Sequence, residues 1–422
     1  MKVYFIETTD KTQRYGIGSY VNNLIPEFKD KDIDFNYVHI NSRLYNSVVR
    51  TKKASISHIH IPVPINGNSD IGSEFHIPLL FARGIYTIIS RHTGKSEKFV
   101  LHLNSVMQTN IGVVAKDYSA ALVVYTMHIL LWRFFYKNDY ERFILEWNNR
   151  QDNKESHKID SLLEEKKLCE IADKVICLTD DAYKFVIEIY QIPPSRVIII
   201  NNGLNANILP QVSSLKKKKM RRKLGFNHKD KILLYVGRLN QGKGLEFLID
   251  AFHDVLKVHQ NTKLIIVGNG NFDMFLSRCS DIWSRVLFTG YLDKSELSNI
   301  YNIADIGVLP SLNEQNSFVA LEMMAHRLPI IASDIEGFKN ILHDKTSCLK
   351  IKMVKGKDSS GLDIYALTKS ITTLINDESI GARLSNNAYN TIIEEFNSKT
   401  MSDKLLMIYR ELLLCVIEVK PK

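Results

Sequence analysis

Apolar residues fall in short, uninterrupted runs separated by polar stretches, the pattern of strands buried on both faces. In the first half these runs are Val3–Ile6, Phe35–Ile40, Ile56–Ile61, Phe99–Leu103, Leu122–Thr126, Val175–Leu178 and Val197–Ile200. After Val3–Ile6 come a turn containing Gly16-Ile17-Gly18 and a helical pattern from Ser19 through Leu24 and Ile25, the order of a βα unit. Between about Leu130 and Lys174 the pattern is helical, with Trp132, Phe134, Phe135, Tyr136, Tyr140 and Phe143 ahead of a charge-rich stretch. The second half restarts the alternation. Strands are predicted at Ile232–Val236, Lys263–Val267, Val286–Phe288, Ile306–Leu309 and Pro329–Ala332, with helices at Leu245–Val258, Ser295–Ile303 and Val319–His326.

Short apolar strands alternating with amphipathic helices predict parallel sheets covered on both faces. The apolar period lapses and charge accumulates between Asn205 and Lys229, which sets the boundary there. The expectation is two doubly wound α/β domains, residues 1–205 and 206–398, with a C-terminal helix over 399–422 packing back towards the first. At 422 residues the chain suits two domains of about 200 residues each. No repeat of the solenoid kind is present.

Composition narrows the class. Apolar residues at 45% and charged residues at 24% are the balance of a globular protein. The longest apolar stretch, Ala120–Phe135, contains His128 and Arg133 and is shorter than the roughly 18 residues a span needs. Val3–Ile6, with Glu7 and Asp10 close behind, is too short for the apolar core of a signal peptide. Cys169, Cys177, Cys279, Cys348 and Cys415 are scattered without CxxC spacing, which fits a reducing cytoplasm and argues against a disulfide framework or structural zinc. The inner face of the membrane stays open as a location. A net charge of +9 admits an anionic partner: a phosphorylated substrate, a membrane surface or nucleic acid. The densest basic run, Lys216–Lys219 with Arg221, Arg222 and Lys223, has no interleaved aromatics for base stacking. It reads as a solvated linker and first helix, and no nucleic-acid partner is expected.

Candidate chemistry concentrates between Tyr235 and Gly337. Gly237-Arg238-Leu239-Asn240-Gln241-Gly242-Lys243-Gly244 puts two cations in a glycine-rich loop between a strand end and a helix start. Arg238 offers a planar fork and Lys243 a point charge to phosphate oxygens. The loop lacks the Lys-Ser/Thr ending of a Walker A motif. Farther on, Glu314 sits in the loop after a strand, and Glu322 eight positions later lies inside the following helix. Val319, Leu321, Met323 and Met324 surround Glu322, so it needs a polar partner. His58 and His60 alternate on one strand face, but no third ligand follows in sequence, and they read as structural. No metal site is expected.

Together, Arg238-x4-Lys243-Gly244, Pro310-Ser311 and Glu314-x7-Glu322 resemble the family-4 retaining glycosyltransferases of the GT-B fold, the glycosyl transferases group 1. Tyr235–Arg238, Val267–Gly270, Phe288–Leu292, Ala304–Ile306, Pro329–Asp334 and Glu336-Gly337 follow the family's order. The resemblance implies two Rossmann-like doubly wound domains facing across a cleft. It implies that Arg238 and Lys243 hold the diphosphate of a nucleotide-sugar donor and that Glu314 contacts the donor sugar. Glu322 would bind the ribose, and backbone at Gly290, Tyr291 and Leu292 the base. Asn316, Ser317, Phe318 and Val319 would complete the substrate pocket, and no cofactor or divalent metal is implied. Gly16 and Gly18 would approach the donor phosphates. His128, in Val124–His128, matches the family's active-site histidine better than His102, which ends an earlier strand.

Three departures stand out. Glu314-Gln315-Asn316-Ser317-Phe318 replaces the family's frequent Glu-Gly-Phe-Gly, Asn340 occupies the usual glutamate position after Gly337, and Asn205 replaces a common aspartate in Asn201–Asn205. The stretch from Trp132 to Glu165 is open to three readings: acceptor site, membrane-facing surface or packing helices. The implied reaction transfers a sugar to an acceptor hydroxyl with retention, in glycan or glycoconjugate biosynthesis. The acceptor would be a glycan, a lipid-linked sugar or a peptide, with peripheral membrane contact open. The competing readings are a silent glycosyltransferase-like binding subunit and an epimerase or phosphorylase acting on the same donors.

Overall fold

Apolar runs without interruption have to be covered on both sides, and the chain does this with two parallel sheets wrapped by helices. The structure is a computed structural model and describes residues 1–8, 16–29, 31–42, 44–53, 56–62, 77–93, 98–118, 121–150, 157–205, 212–355 and 360–415. Two compact units form, Met1–Gly203 with Ser398–Lys422, and Leu204–Asn397.

In the first unit the elements run β1 (Lys2–Glu7), α1 (Gly16–Phe28), β2 (Asp34–Ser42), β3 (Val49–Lys53), β4 (Ile56–Pro62), α2 (Leu79–Thr93), β5 (Phe99–Leu103), α3 (Thr109–Lys116) and β6 (Ala121–Met127). They continue as α4 (Leu131–Tyr136), α5 (Tyr140–Asn148), α6 (His157–Ile171), β7 (Lys174–Cys177), α7 (Asp180–Glu188) and β8 (Val197–Ile199). Among the described residues the sheet order is β3-β4-β2-β1-β5-β6-β7-β8. All neighbours are parallel except β3, which runs antiparallel along β4 at the edge.

The helix after β1 begins at Gly16, so Gly16 and Gly18 lie in its first turn and not in a turn ahead of it. Glycine disfavours helix by about 1 kcal/mol, but the buried face of Tyr20, Val21, Leu24 and Phe28 fixes the helix by packing. The aromatic stretch after β6 folds as α4–α6. Trp132, Tyr136, Phe143 and Trp147 enter the core with Phe185 and Tyr190, while Phe134, Tyr140 and Leu145 stay exposed. No helix among the described residues is long and apolar enough to cross a membrane.

The second unit runs α8 (Ser214–Lys223), β9 (Lys231–Val236), α9 (Leu245–Val258), β10 (Thr262–Val267), α10 (Phe272–Leu276), β11 (Val286–Gly290), α11 (Lys294–Ile303), β12 (Ile306–Leu309), α12 (Phe318–Ala325) and β13 (Ile330–Ser333). Then come α13 (Glu336–Lys339), β14 (Leu349–Ile351), the antiparallel pair β15 (Met353–Lys355) and β16 (Ser360–Leu362), α14 (Ile364–Asn376) and α15 (Glu378–Glu394). The main sheet is parallel throughout in the order β11-β10-β9-β12-β13-β14, the 3-2-1-4-5-6 order of a Rossmann domain.

The basic run forms α8, and most of its cations are solvated, but Arg221 turns inward. Its guanidinium bonds the Ile303 carbonyl and, at 2.6 Å, Asp305 Oδ2, which also accepts from Ile232 N at 2.9 Å. Arg221 is therefore fold-forming: it is the buried member of the pair, and leaving its charge without Asp305 costs about 3–5 kcal/mol. The last helix, α16 (Ser398–Cys415), belongs to the first unit and packs on α1. It is pinned by Lys31–Asp403 (2.7 Å) and by Tyr409 Oη against His102 Nδ1 (2.6 Å).

A buried carboxyl in the first unit makes stability sensitive to pH. Glu165 accepts from Tyr190 (2.8 Å) and Tyr125 (3.4 Å), and burial pushes it up from about 4.5 to about 8 against those bonds. The fold thus holds a proton that the unfolded chain releases. The contribution is full below about pH 4.5 and is lost as pH rises through about 8. Glu165→Gln is neutral throughout and should flatten the fall in melting temperature over that range. Thermal unfolding of both proteins across the range checks this, and an unchanged slope in the variant rules out Glu165 as its source.

Candidate active site

In a doubly wound sheet the connections leave two neighbouring strands in opposite directions, and a crevice opens at their C-terminal ends. In the second unit those strands are β9 and β12, since β10 lies beyond one and β13 beyond the other. The two loops singled out in sequence leave these two strand ends.

The loop after β9 turns through Gln241–Lys243 and closes at Gly244 with φ +64°. A Cβ at Gly244 would lie 2.0 Å from the Pro310 carbonyl oxygen, so only glycine allows this approach. Leu312 N donates to Gly242 O (3.0 Å), stitching the β9 loop to the β12 loop. Ser333, the last residue of β13, donates to the Ser311 carbonyl at 2.5 Å. From α13, Gly337 lies so close beneath Glu314 that a Cβ would come within 2.0 Å of its carbonyl oxygen.

These contacts bring Lys243 Nζ to 2.5 Å from Glu314 Oε1, which also accepts from Ser311 Oγ at 3.2 Å. Both side chains of the pair are 18% exposed, partly shielded yet within reach of a ligand. Arg238 is exposed and has no ion-pair partner among the described residues. The loop that carries it is held by Tyr235, whose phenol donates to the Arg238 carbonyl at 3.0 Å and whose pKa burial raises.

Glu322 lies in the second turn of α12, and its Oε2 accepts from Tyr301 Oη at 2.8 Å. Burial raises its pKa, opposed by the Tyr301 bond and the charge of Lys294. Ser317 caps α12 by accepting from Ala320 N, which commits its hydroxyl to the helix. Asn316, Ser317 and Phe318 are buried at this helix start, and Val319 is half-buried. At the end of β11, Gly290 accepts from Gly268 N (2.9 Å), and Tyr291 N donates to Asn269 Oδ1 (3.1 Å), with Leu292 half-buried beside them. Asn340 caps the C-terminus of α13.

In the first unit the corresponding switch lies between β1 and β5. Asn104 follows β5 and bonds Ile6 O (3.1 Å), while Gln108 bonds Ile6 O (3.2 Å) and Thr8 Oγ1 (2.9 Å). His128 follows β6 and stays partly accessible, with Nε2 3.0 Å from Asn104 Oδ1 and its ring edge-on to Tyr20. Burial lowers its pKa to about 3, so the imidazole is neutral at physiological pH. His102 is fully buried, its two nitrogens engaged by Tyr409 and Thr126 (2.6 and 2.7 Å). Gly16 stands exposed at the start of α1 and Gly18 is buried.

The sequence does not display Tyr301 as the partner of Glu322, Asn104 as that of His128, or Gln108 as the group that holds Asn104 N. Tyr301 is 21 positions from Glu322 and inside an ordinary amphipathic helix, which offers no local signal. Asn104 and Gln108 were findable as polar residues at a buried strand end.

Comparison with known proteins gives a partial family match and a fold. Residues 216–391 match the family described as glycosyl transferases group 1. An uncharacterized glycosyltransferase of Methanocaldococcus jannaschii is 28% identical over 56% of this chain, and the chain spans only 60% of that relative's length. Among solved structures, sucrose-phosphate synthase from Thermosynechococcus elongatus superposes with a TM-score of 0.78 at 18% identity, over 98% of this chain and 99% of the other. Anabaena HepE, in complex with UDP and glucose, gives 0.73 at 16% identity over 97% and 100%. Both likenesses concern the fold. With its two Rossmann-like units the chain has the GT-B fold, and its second unit is similar over residues 216–391 to the glycosyl transferases group 1.

Proposed function

We propose that the protein is a retaining glycosyltransferase that takes its donor, a nucleoside diphosphate sugar, into the second unit and transfers the sugar to an acceptor hydroxyl in glycan or glycoconjugate biosynthesis. The observation that carries this reading is the convergence of Arg238, the Lys243–Glu314 pair and Glu322 on the switch point between β9 and β12. Arg238 and Lys243 take the diphosphate, and Glu314 turns from Lys243 towards the sugar hydroxyls. The Glu322 oxygen not held by Tyr301 accepts from the ribose. Backbone at Gly290–Leu292 meets the base, and Asn316–Val319 present the start of α12 to phosphate and sugar. The HepE complex with UDP supports a nucleotide in this fold.

In the reaction the bond from the anomeric carbon to the diphosphate oxygen breaks, and a bond to the acceptor oxygen forms on the same face. The acceptor proton passes to the departing phosphate. Arg238 and Lys243 offset the charge that develops there, so this route requires no divalent metal. In the first unit, neutral His128 serves as a hydrogen-bonding group for a substrate hydroxyl, and the N-terminal turn of α1 with Gly16 and Gly18 offers backbone N–H groups to a phosphate. The exposed aromatics of α4 and α5 suit an acceptor or a lipid surface.

A charge-assisted contact contributes roughly 1.5–3 kcal/mol. Arg238→Ala and Lys243→Ala should therefore each lower turnover about ten- to a hundredfold. Wild-type rates in both variants would remove the diphosphate assignment. Donor class is read by thermal shift against UDP, GDP and ADP. A nucleotide at about a hundred times its dissociation constant stabilises by roughly 2.7 kcal/mol. One base should raise the melting temperature of the wild type and leave Glu322→Ala unmoved. No shift with any nucleotide favours a silent binding subunit. Gly337→Ala should lower both turnover and melting temperature, because its Cβ must push the Glu314 backbone aside; unchanged turnover would show that this loop tolerates the shift.

A further inference from the structure

The sequence shows His58 and His60 without a third ligand, but the fold supplies one from the neighbouring strand. In the parallel pairing of β2 and β4, His39 stands directly opposite His60, and His58 lies two residues earlier on the same face. His39 Nε2 is 2.9 Å from His58 Nδ1, and one ring nitrogen from each of the three residues lies within 4.8 Å of the others. The rings are nearly parallel, at 6° for His39–His58, 7° for His39–His60 and 13° for His58–His60.

We propose that His39, His58 and His60 bind one divalent transition-metal ion of the zinc type, clasping β4 to β2. Imidazole nitrogens about 2.0–2.1 Å from a tetrahedral ion sit roughly 3.3 Å apart, so on binding the 2.9 Å His39–His58 hydrogen bond opens, its proton moves to the other nitrogen of its ring, and the near-parallel rings turn until their lone pairs converge. Three neutral nitrogen donors suit zinc, cobalt, nickel or copper and do not suit magnesium or calcium. Thr51 Oγ1 lies 3.4 Å from His60 Nε2, a polar contact beside the cluster. His39 and His60 are buried and His58 is half-buried, so the ion enters from the His58 side and keeps its fourth position there. This site is independent of the donor chemistry of the second unit.

The test uses full-length, tag-free protein stripped with a chelator and titrated with Co²⁺, then Zn²⁺. One Co²⁺ per chain should bind with visible absorption bands of nitrogen coordination, Zn²⁺ should displace it, and the melting temperature should rise. His58→Ala should weaken binding at least about tenfold, while His253→Ala, on the surface of the second unit, leaves it unchanged. Wild-type protein without stoichiometric binding, or His58→Ala binding as tightly as wild type, overturns the proposal and leaves the three rings as stacked core histidines. If His58→Ala does not fold in the absence of metal, His58→Asn replaces it, and the wild-type stoichiometry alone still decides.

Discussion

Lys243 and Glu314 are 71 positions apart, and they meet because two glycines let three loops pack main chain against main chain. Gly244 admits the Pro310 carbonyl from one side, and Gly337 fits under Glu314 from the other. A methyl group at either position would have to push a backbone segment aside, and the pair would separate. The charge arrangement therefore follows from steric permission. The loops are set first by strand order and glycine contact, and the ion pair forms within that frame. Ser311 adds to it: its hydroxyl donates to Glu314, and its carbonyl accepts from the Ser333 hydroxyl.

Electrostatic roles are divided by burial. Arg221 and Asp305 are a shielded pair that joins α8 to the start of β9, and their charges serve the fold. Lys243 and Glu314 are less enclosed, and Arg238 stands out in solvent. This gradient runs from the N-terminal ends of the strands to their C-terminal ends. On the proposed function, interactions near the C-terminal ends are the ones whose loss should be felt in binding and turnover more than in stability.

Much of this was legible in the sequence because strands buried on both faces write themselves as unbroken apolar runs: Ile232–Val236 and Ile306–Leu309 are examples. The Arg238–Lys243 loop and the Glu314–Glu322 segment were legible because they are local. Three kinds of feature were not. Val49–Lys53 has a single apolar residue, so β3 carries no strand signal and exists through its pairing with β4. The start of α1 at Gly16 was hidden because packing of Tyr20 and Leu24 overrides glycine's poor helix propensity. The partners of side chains across elements, Tyr301 to Glu322 and His39 to His60, depend on register between elements that a single sequence does not display.

The edge strand β3 has a consequence for how the chain behaves before and after folding. An open parallel sheet ends in unsatisfied N–H and C=O groups that another chain can extend. Here that margin is occupied by a short antiparallel strand with Arg50, Lys52 and Lys53 along its five residues. A second molecule approaching to add a strand would meet like charges from its own copy of the same segment. The least strand-like stretch of the sheet thus places like-charge repulsion at the margin where, among the described residues, two copies would otherwise pair edge to edge.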